Sequence, residues 1–224
     1  MSTRTSLTLY DLPHSPYCLP IKRLLQAYEV PLEIVDVPNW DRRAVIEASG
    51  GAYYQVPMLV HDGKVICEST AESNDVARYV DKTFAGETLF PENLAGLHDI
   101  LIAYLDDEVE GSTFRCTDVF YVPSIEDPVG RVMTLRHKER KFGRGCIDQW
   151  RASLADLRAG ATKHFARFNA MLQHKTFLLG ERPVYADFLL YGILTNYTWK
   201  GWNELPKEMS ALTSWLECMR SWRA

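Results

Sequence analysis

Apolar and polar positions change period along this chain of 224 residues, and the changes divide it. Leu7, Leu9 and Leu12 fall near a two-residue alternation that ends at Asp11-Leu12-Pro13, which predicts a strand. Ile21, Leu24, Leu25 and Tyr28 then follow the i, i+3, i+4, i+7 spacing of one helix face. Leu32 to Val37 is rich in branched residues and predicts a second strand. Met58 to Val60 and Val65 to Cys67 flank His61-Asp62-Gly63-Lys64, and Asp-Gly between apolar runs is a hairpin signal. A helix is expected from about Thr70, with Val76, Tyr79, Val80 and Phe84 on one face. The order is β-α-β, a longer connection, then β-β-α.

Between residues 85 and 93 the period disappears into turn formers, which predicts a linker. Beyond it the helical period dominates. Leu94, Leu97, Leu101, Tyr104 and Leu105 mark a helix expected to end in the acidic run Asp106 to Glu110. Ile147, Trp150, Leu154, Leu157, Ala161, Phe165, Phe168 and Leu172 read as one longer helix. Phe188 to Leu194 is apolar nearly all round, as in a helix buried in a bundle. The stretch from Gly111 to Gly145, with Pro123 and Pro128, reads as a long irregular lid. The expected organisation is an α/β domain over residues 1–84, a linker over 85–93, and an all-helical domain over 94–224.

Composition narrows the possible functions. With 46% hydrophobic residues the chain can bury enough surface to fold. The net charge of −4 argues against nucleic acid as a partner. Arg131 to Gly145 is locally basic, six Lys or Arg against one Glu139, and reads as a solvated helix face. No apolar run approaches the roughly 20 residues that span a bilayer, and Met1 to Thr5 runs into the first strand, which predicts no signal peptide. Cys18, Cys67, Cys116, Cys146 and Cys218 are scattered, with no C-x-x-C pair, and the six histidines show no H-E-x-x-H spacing. No metal site is expected, and the reducing cytoplasm is the expected compartment.

Three local patterns could carry chemistry. His14-Ser15-Pro16-Tyr17-Cys18 lies between the first strand and the first helix; Ser is a favoured N-cap and Pro a favoured first helical residue. The same place faces the free N–H groups of a helix start, which stabilise an anion. Glu68-Ser69-Thr70-Ala71-Glu72 fits the capping box S-x-x-E at Ser69 and Glu72. It would also offer donors to a ligand carboxylate, with Glu68 to accept an ammonium. Val56-Pro57 opens a strand, which leaves the Val56 backbone free to bond an extended peptide.

In this order, ahead of a helical domain, S-P-Y-C, V-P and E-S resemble the cytosolic glutathione transferase family, at spacings that fit its serine-type classes such as tau and, apart from the nucleophile, the omega class. Pro183-Val184-Tyr185-Ala186-Asp187 is similar to the family's buried helix-capping motif, with Val184 where Ser or Thr is usual. The resemblance implies a thioredoxin-like fold for the first domain and glutathione as co-substrate. It implies that the Ser15 hydroxyl bonds the glutathione sulfur and that Val56, before a cis Pro57, pairs with the cysteinyl backbone. Glu68 and Ser69 would hold the γ-glutamyl end, and Arg42 or Arg43, assisted by Tyr54 or Gln55, the glycyl carboxylate. Asp106 or Asp107 lies where some classes send an acidic residue across a dimer interface. His14, Phe114, Phe120, Tyr121 and Trp199 are candidates for the electrophile pocket, and a homodimer is implied.

A cysteinyl thiol titrates near ~8.5, and an unassisted serine hydroxyl cannot act as its base. Ser15 can instead donate a hydrogen bond to the thiolate. Two rival readings stand beside this one. S-P-Y-C also looks like the glutaredoxin motif C-P-Y-C with its first cysteine replaced, so Cys18 could support thiol transfer if it were exposed. A non-catalytic binding module on the same fold is the other. His14 itself reads as an exposed loop residue.

Overall fold

The computed structural model describes residues 6–70 and 73–224. Met1 to Thr5 and Glu72, the second half of the expected capping box, lie outside the described residues. The strand Leu7–Asp11 (β1) alternates as its sequence does, burying Leu7, Leu9 and Asp11. It leads into the helix Cys18–Ala27 (α1), whose predicted face, Ile21, Leu24 and Leu25, is buried.

β1 pairs in parallel with Glu33–Asp36 (β2), Thr8 opposite Glu33, and a short helix Arg43–Ala48 (α2) follows. On its other side β1 runs antiparallel to Met58–His61 (β3), Leu7 opposite His61. Asp62 and Gly63, at φ 49° and 81°, turn β3 back into Lys64–Ile66 (β4). Two successive left-handed residues are what this hairpin turn requires. The sheet order is β2-β1-β3-β4.

The next helix, Asp75–Val80 (α3), widens into a π turn over Asp81–Ala85. It begins five residues later than the sequence pattern implied. Ser69 therefore caps no helix: its N–H donates to Ser73 Oγ (3.0 Å) and to Asp75 Oδ2 (2.9 Å) instead.

Helices make up the rest. Ala95–Tyr104 (α4) passes through a π turn at Leu105–Glu110 into Gly111–Ser124 (α5). The acidic run therefore does not end a helix; its Leu105 and Val109 are fully buried and carry the helix through it. Pro128–Phe142 (α6) follows at once, so the stretch expected to be an irregular lid is two helices. Pro123 sits in the last turn of α5. Pro128 opens α6, where its missing N–H costs nothing, and the Asp127 carboxylate accepts from Gly130 N (2.7 Å). The long helix read from Ile147 onward is two, Cys146–Ala152 (α7) and Leu154–Leu172 (α8), broken at Ser153. Tyr185–Tyr197 (α9) and Ser210–Ser221 (α10) complete the chain. No helix among the described residues is long and apolar enough to cross a membrane.

α9 joins the two halves. Phe188, Leu189, Leu190, Ile193 and Leu194 are at most 1% exposed, and each buried apolar side chain of this size is worth about 1.5–3 kcal/mol. Its buried start is held by Asp187, whose carboxylate accepts from Val184 N (3.0 Å), Leu178 N (3.0 Å) and Trp215 Nε1 (3.2 Å). Val184 contributes no side-chain cap; Asp187 supplies it together with His98, whose Nε2 accepts from Ala186 N (3.0 Å). Gly192 sits against the first turn of α1, where a Cβ would lie 2.4 Å from the Pro16 carbonyl oxygen. From the sheet side, buried Arg23 donates through Nε to Met219 O (2.7 Å) and through Nη2 to Trp222 O, closing the end of α10.

Candidate functional site

The loop from Pro13 to Tyr17 carries the first candidate. Ser15 N donates to Leu12 O (2.8 Å), and Ser15 O accepts the first helical bond from Leu19 N (3.0 Å). Ser15 Oγ accepts from Tyr17 N (3.2 Å) and Cys18 N (3.3 Å), so the hydroxyl oxygen caps the helix as the sequence implied. Ser15 is only 7% exposed, and its hydroxyl proton has beside it the Cys18 sulfur, a weak acceptor. It can turn from that sulfur to a ligand. α9 fixes this loop from behind, Asn196 Nδ2 donating to His14 O (2.6 Å).

Cys18 is fully buried, its sulfur accepting from Leu12 N (3.4 Å). Burial pushes its thiol up to about 12, so it carries essentially no thiolate at neutral pH and presents no surface to a disulfide. The sequence had allowed it to be reactive; its packing does not.

His14 is not an exposed loop residue. Its ring centroid lies 4.0 Å from that of Tyr121, 5.9 Å from Trp202 and 6.3 Å from Trp199. Burial, then the charges of Lys138 and Lys200, push it down to about 4, so the imidazole is neutral at pH 7. His14 and Tyr121 line a cavity of about 270 Å³ together with Pro13 and Trp40. Of the other three aromatic candidates, Trp199 neighbours His14 without lining this cavity, and two stand elsewhere. Phe114 packs against Phe142 and Trp150, and Phe120 stacks on Trp202 under the Arg158 guanidinium. Both stabilise the helical half and neither lines that cavity.

A second cavity, about 290 Å³, opens beside Tyr17 and the cis Val56–Pro57 bond. The Val56 N–H and carbonyl make no hydrogen bond among the described residues. Glu68 lines the same space. Its carboxylate accepts from Asp75 N (2.7 Å), Val76 N (3.3 Å) and Ser73 Oγ (2.8 Å), so it caps α3 from outside the helix. Burial outweighs those bonds and raises its pKa. Ser69 is exposed and is not part of this wall; Thr70 and Ser73 are. Asp106 and Asp107 do line it, from the same chain and not only as candidates for reaching a partner. Asp106 Oδ1 is buried without a hydrogen-bond partner among the described residues, and burial, then Asp107 and Glu68, push its carboxyl up to about 6. A space edged by two carboxylates and an unpaired peptide suits an extended amino-acid derivative with an ammonium end.

Arg42 borders a third cavity of about 330 Å³ with Tyr54 and Gln55. Its Nη2 donates to Asn39 Oδ1 (2.6 Å). Arg43 is exposed and turned to Asp41 (2.5 Å), so of the two arginines only Arg42 reaches a cavity. Gln55 borders both this cavity and the Val56 one, while Trp40 borders both this one and the His14 one. The three spaces therefore adjoin along the seam between the sheet and the helices. Among the described residues no cluster of metal-ligating side chains occurs. Sequence reasoning missed Trp40, Asn196 and the helix α6 wall; only the isolated Trp in a Pro-Asn-Trp-Asp turn offered a signal.

A four-stranded mixed sheet with helices, followed by a helical unit, and a peptide-like groove at its first helix define a thioredoxin-like, glutathione-transferase type of protein. The chain matches the families described as Glutathione S-transferase, N-terminal domain, over residues 9–88, and Glutathione S-transferase, C-terminal domain, over residues 153–222, and it belongs to the glutathione S-transferase family. It is similar to Glutathione S-transferase L3 of Arabidopsis thaliana, 36% identical over 83 residues, covering 36% of this chain and 32% of that one. Glutathione S-transferase L1 of the same plant is 33% identical over 87 residues, covering 38% of this chain and 33% of its own. The match thus spans about a third of the length of these curated relatives. Among solved structures, a glutathione S-transferase of Ceriporiopsis subvermispora in complex with glutathione superposes at a TM-score of 0.75, with 19% identity over 98% of both chains. Glutaredoxin 2 of Salmonella typhimurium in complex with glutathione also gives 0.75, with 19% identity, covering 97% of this chain and 95% of that one. These two likenesses concern the fold.

Proposed function

We propose that the protein is a glutathione transferase that ionises the glutathione thiol at the start of α1 and directs it at an electrophilic small molecule. The observation that carries this reading is the Ser15 hydroxyl: its oxygen is held by two backbone N–H groups, and its proton has beside it only the weakly accepting Cys18 sulfur, so a ligand thiolate is the stronger acceptor. In this reading the cysteinyl backbone of glutathione pairs with Val56, its γ-glutamyl ammonium lies between Glu68 and Asp106, and its glycyl end runs past Gln55 toward Arg42. The sulfur then faces Ser15.

Magnitudes favour the reading. Each unit of pKa depression takes about 1.4 kcal/mol of preferential stabilisation of the anion. A hydrogen bond to a charged acceptor contributes roughly 1.5–3 kcal/mol, and a helix start roughly 0.3–1 kcal/mol. Together they lower a thiol of ~8.5 by about one to three units, and thiolate becomes the major form at pH 7 once the shift passes about 1.5 units. Ser15 accepts no proton in this scheme; the thiol proton leaves to solvent. The electrophile sits in the His14–Tyr121 cavity, where the neutral imidazole carries no charge to repel a cationic substrate and offers one N–H donor and one acceptor nitrogen at pH 7. The functional division follows the chain, residues 1–84 binding glutathione and 94–224 the co-substrate. Exposed Leu97 and Ile100 on α4 support pairing with a second copy. Five unpaired cysteines support a reducing, cytoplasmic setting.

Conjugation of glutathione to a chlorodinitrobenzene-type electrophile tests the reading. Ser15→Ala lowers the rate strongly and Cys18→Ala lowers it little; the reverse order moves the function to thiol transfer. Absence of retention on immobilised glutathione favours a non-catalytic module.

A further inference from the structure

The His14–Tyr121 cavity carries charges that thiol addition to a neutral electrophile does not call for. Most of its wall is apolar or aromatic, Val37, Pro38 and Ile125 with the rings of Trp40, Tyr121 and His14. Two carboxylates, Asp36 and Glu126, complete the lining, and no lysine or arginine does. Both are exposed, and neither makes an ion pair or a side-chain hydrogen bond among the described residues. The cations near them are engaged elsewhere. Lys22 pairs with Asp11 (2.5 Å), the strand neighbour of Asp36, and Lys138 pairs with Asp118 (2.5 Å). Arg131 Nη1 donates to Ile125 O (3.4 Å). Lys200 acts on His14 from beside Trp199, and neither Lys200 nor Trp199 lines the cavity.

The two carboxylates come from different halves of the chain. Asp36 ends β2, where its register against Asp11 fixes it, and Glu126 precedes the Asp127 cap of α6. They stand together only because the helical unit closes on the sheet. Trp40 is fixed as well, since its indole rests on α6 where a Cβ on Gly130 would lie 2.4 Å away. Unpaired negative charge on an apolar cleft raises the local concentration of cations, and the faces of Trp and Tyr rings attract them too. The neutral His14 ring adds no opposing charge at pH 7. An anionic molecule of the same size meets repulsion from both carboxylates and gains no donor but the imidazole and the Ser124 hydroxyl, which already donates to Tyr121 O (2.8 Å).

We propose that the electrophile this cavity selects is a cationic aromatic compound, its ring against Trp40 and Tyr121 and its ammonium or amidinium group at Asp36 and Glu126. The proposal rests on the placement of the electrophile beside His14 given above and adds the sign of its charge. Asp36 and Glu126 thereby become specificity-determining residues, one contributed by each half of the chain.

Two electrophiles of one skeleton test the charge, 4-chloro-3,5-dinitrobenzyl carrying either a trimethylammonium or a sulfonate group. In each, the glutathione sulfur bonds the ring carbon and chloride leaves with the electron pair. The kcat/KM of each is divided by its uncatalysed rate constant with glutathione at the same pH and salt. The native protein favours the ammonium compound. Asp36→Asn and Glu126→Gln each lower that preference about fivefold, as when one rim carboxylate attracts one charge and repels the other by similar amounts. Asp156→Asn, on the exposed start of α8, retains it. A native ratio near one, or one unchanged by both substitutions, overturns the proposal. Calorimetry with benzyltrimethylammonium and phenylmethanesulfonate, without glutathione, reads the same preference without turnover. If neither electrophile is conjugated while the calorimetric preference holds, the transferase reading fails and the cation site stands. Conjugation of both without preference overturns the cation site alone.

Discussion

Asp106 offers a pH-dependent prediction that the structure makes quantitative. Its carboxyl is pushed up to about 6 by burial, by Asp107 and by Glu68, and one of its oxygens is unpartnered inside the Val56 cavity. An ammonium group seated there favours the ionised form, so binding lowers this pKa. Affinity is therefore complete above about pH 6 and declines as protonation of the free protein competes below it. If the ammonium returns the group to the ordinary carboxylate range near ~3.9, the dissociation constant rises about tenfold between pH 7 and 5. Isothermal calorimetry with S-methylglutathione reads this without interference from a titrating thiol. Asp106→Asn is expected to flatten the profile. Its effect on the empty protein has the opposite sense. A carboxyl with a raised folded-state pKa destabilises the fold when ionised, so the variant gains stability as pH rises from about 4 through 6, relative to native protein. An affinity independent of pH in the native protein, or one that falls equally in Asp106→Asn, refutes the placement of the ammonium.

Three further outcomes follow from the packing. Iodoacetamide applied to the folded protein modifies exposed Cys218 and leaves Cys18 untouched by peptide mass spectrometry; early labelling of Cys18 contradicts its burial. Asp187→Ala leaves Val184 N, Leu178 N and Trp215 Nε1 without their acceptor and lowers stability by about 2–5 kcal/mol in urea unfolding, where a loss under 1 kcal/mol contradicts its role. Gly130→Ala places a Cβ 2.4 Å from the Trp40 indole, so it shifts tryptophan fluorescence and costs about 1–3 kcal/mol. Unchanged emission and stability would mean the indole does not rest on α6.

What the sequence made legible depended on how local its cause was. The β-α-β and β-β-α order rests on alternation and on Asp62-Gly63, which act within a few residues, and it was readable. Pro123 and Pro128 were read as loop formers because a proline interrupts a helix interior; at the last and first turns it does not, and only the junction of α5 and α6 distinguishes the cases. The S-x-x-E pattern at Ser69 is locally complete, yet Glu68 reaches forward and caps α3 at Asp75, so a longer-range bond decided where that helix starts. The site divides in the same way. Ser15, Val56, Pro57, Glu68 and Arg42 were identifiable from short motifs, and they stand at or beside the three cavities. The aromatic enclosure of His14, the arrival of Asp106 beside Glu68 and that of Glu126 at the His14 cavity depend on the helical half folding back over the sheet. No periodicity carries that information.

The central claim concerns one ionisation, and the ultraviolet absorbance of the thiolate measures it. Glutathione bound to the native protein is expected to titrate one to three units below the ~8.5 of a free cysteinyl thiol, and glutathione bound to Ser15→Ala is expected to move back toward that value by about one to two units. A bound thiol that titrates as it does in water, or equally in both proteins, contradicts the account.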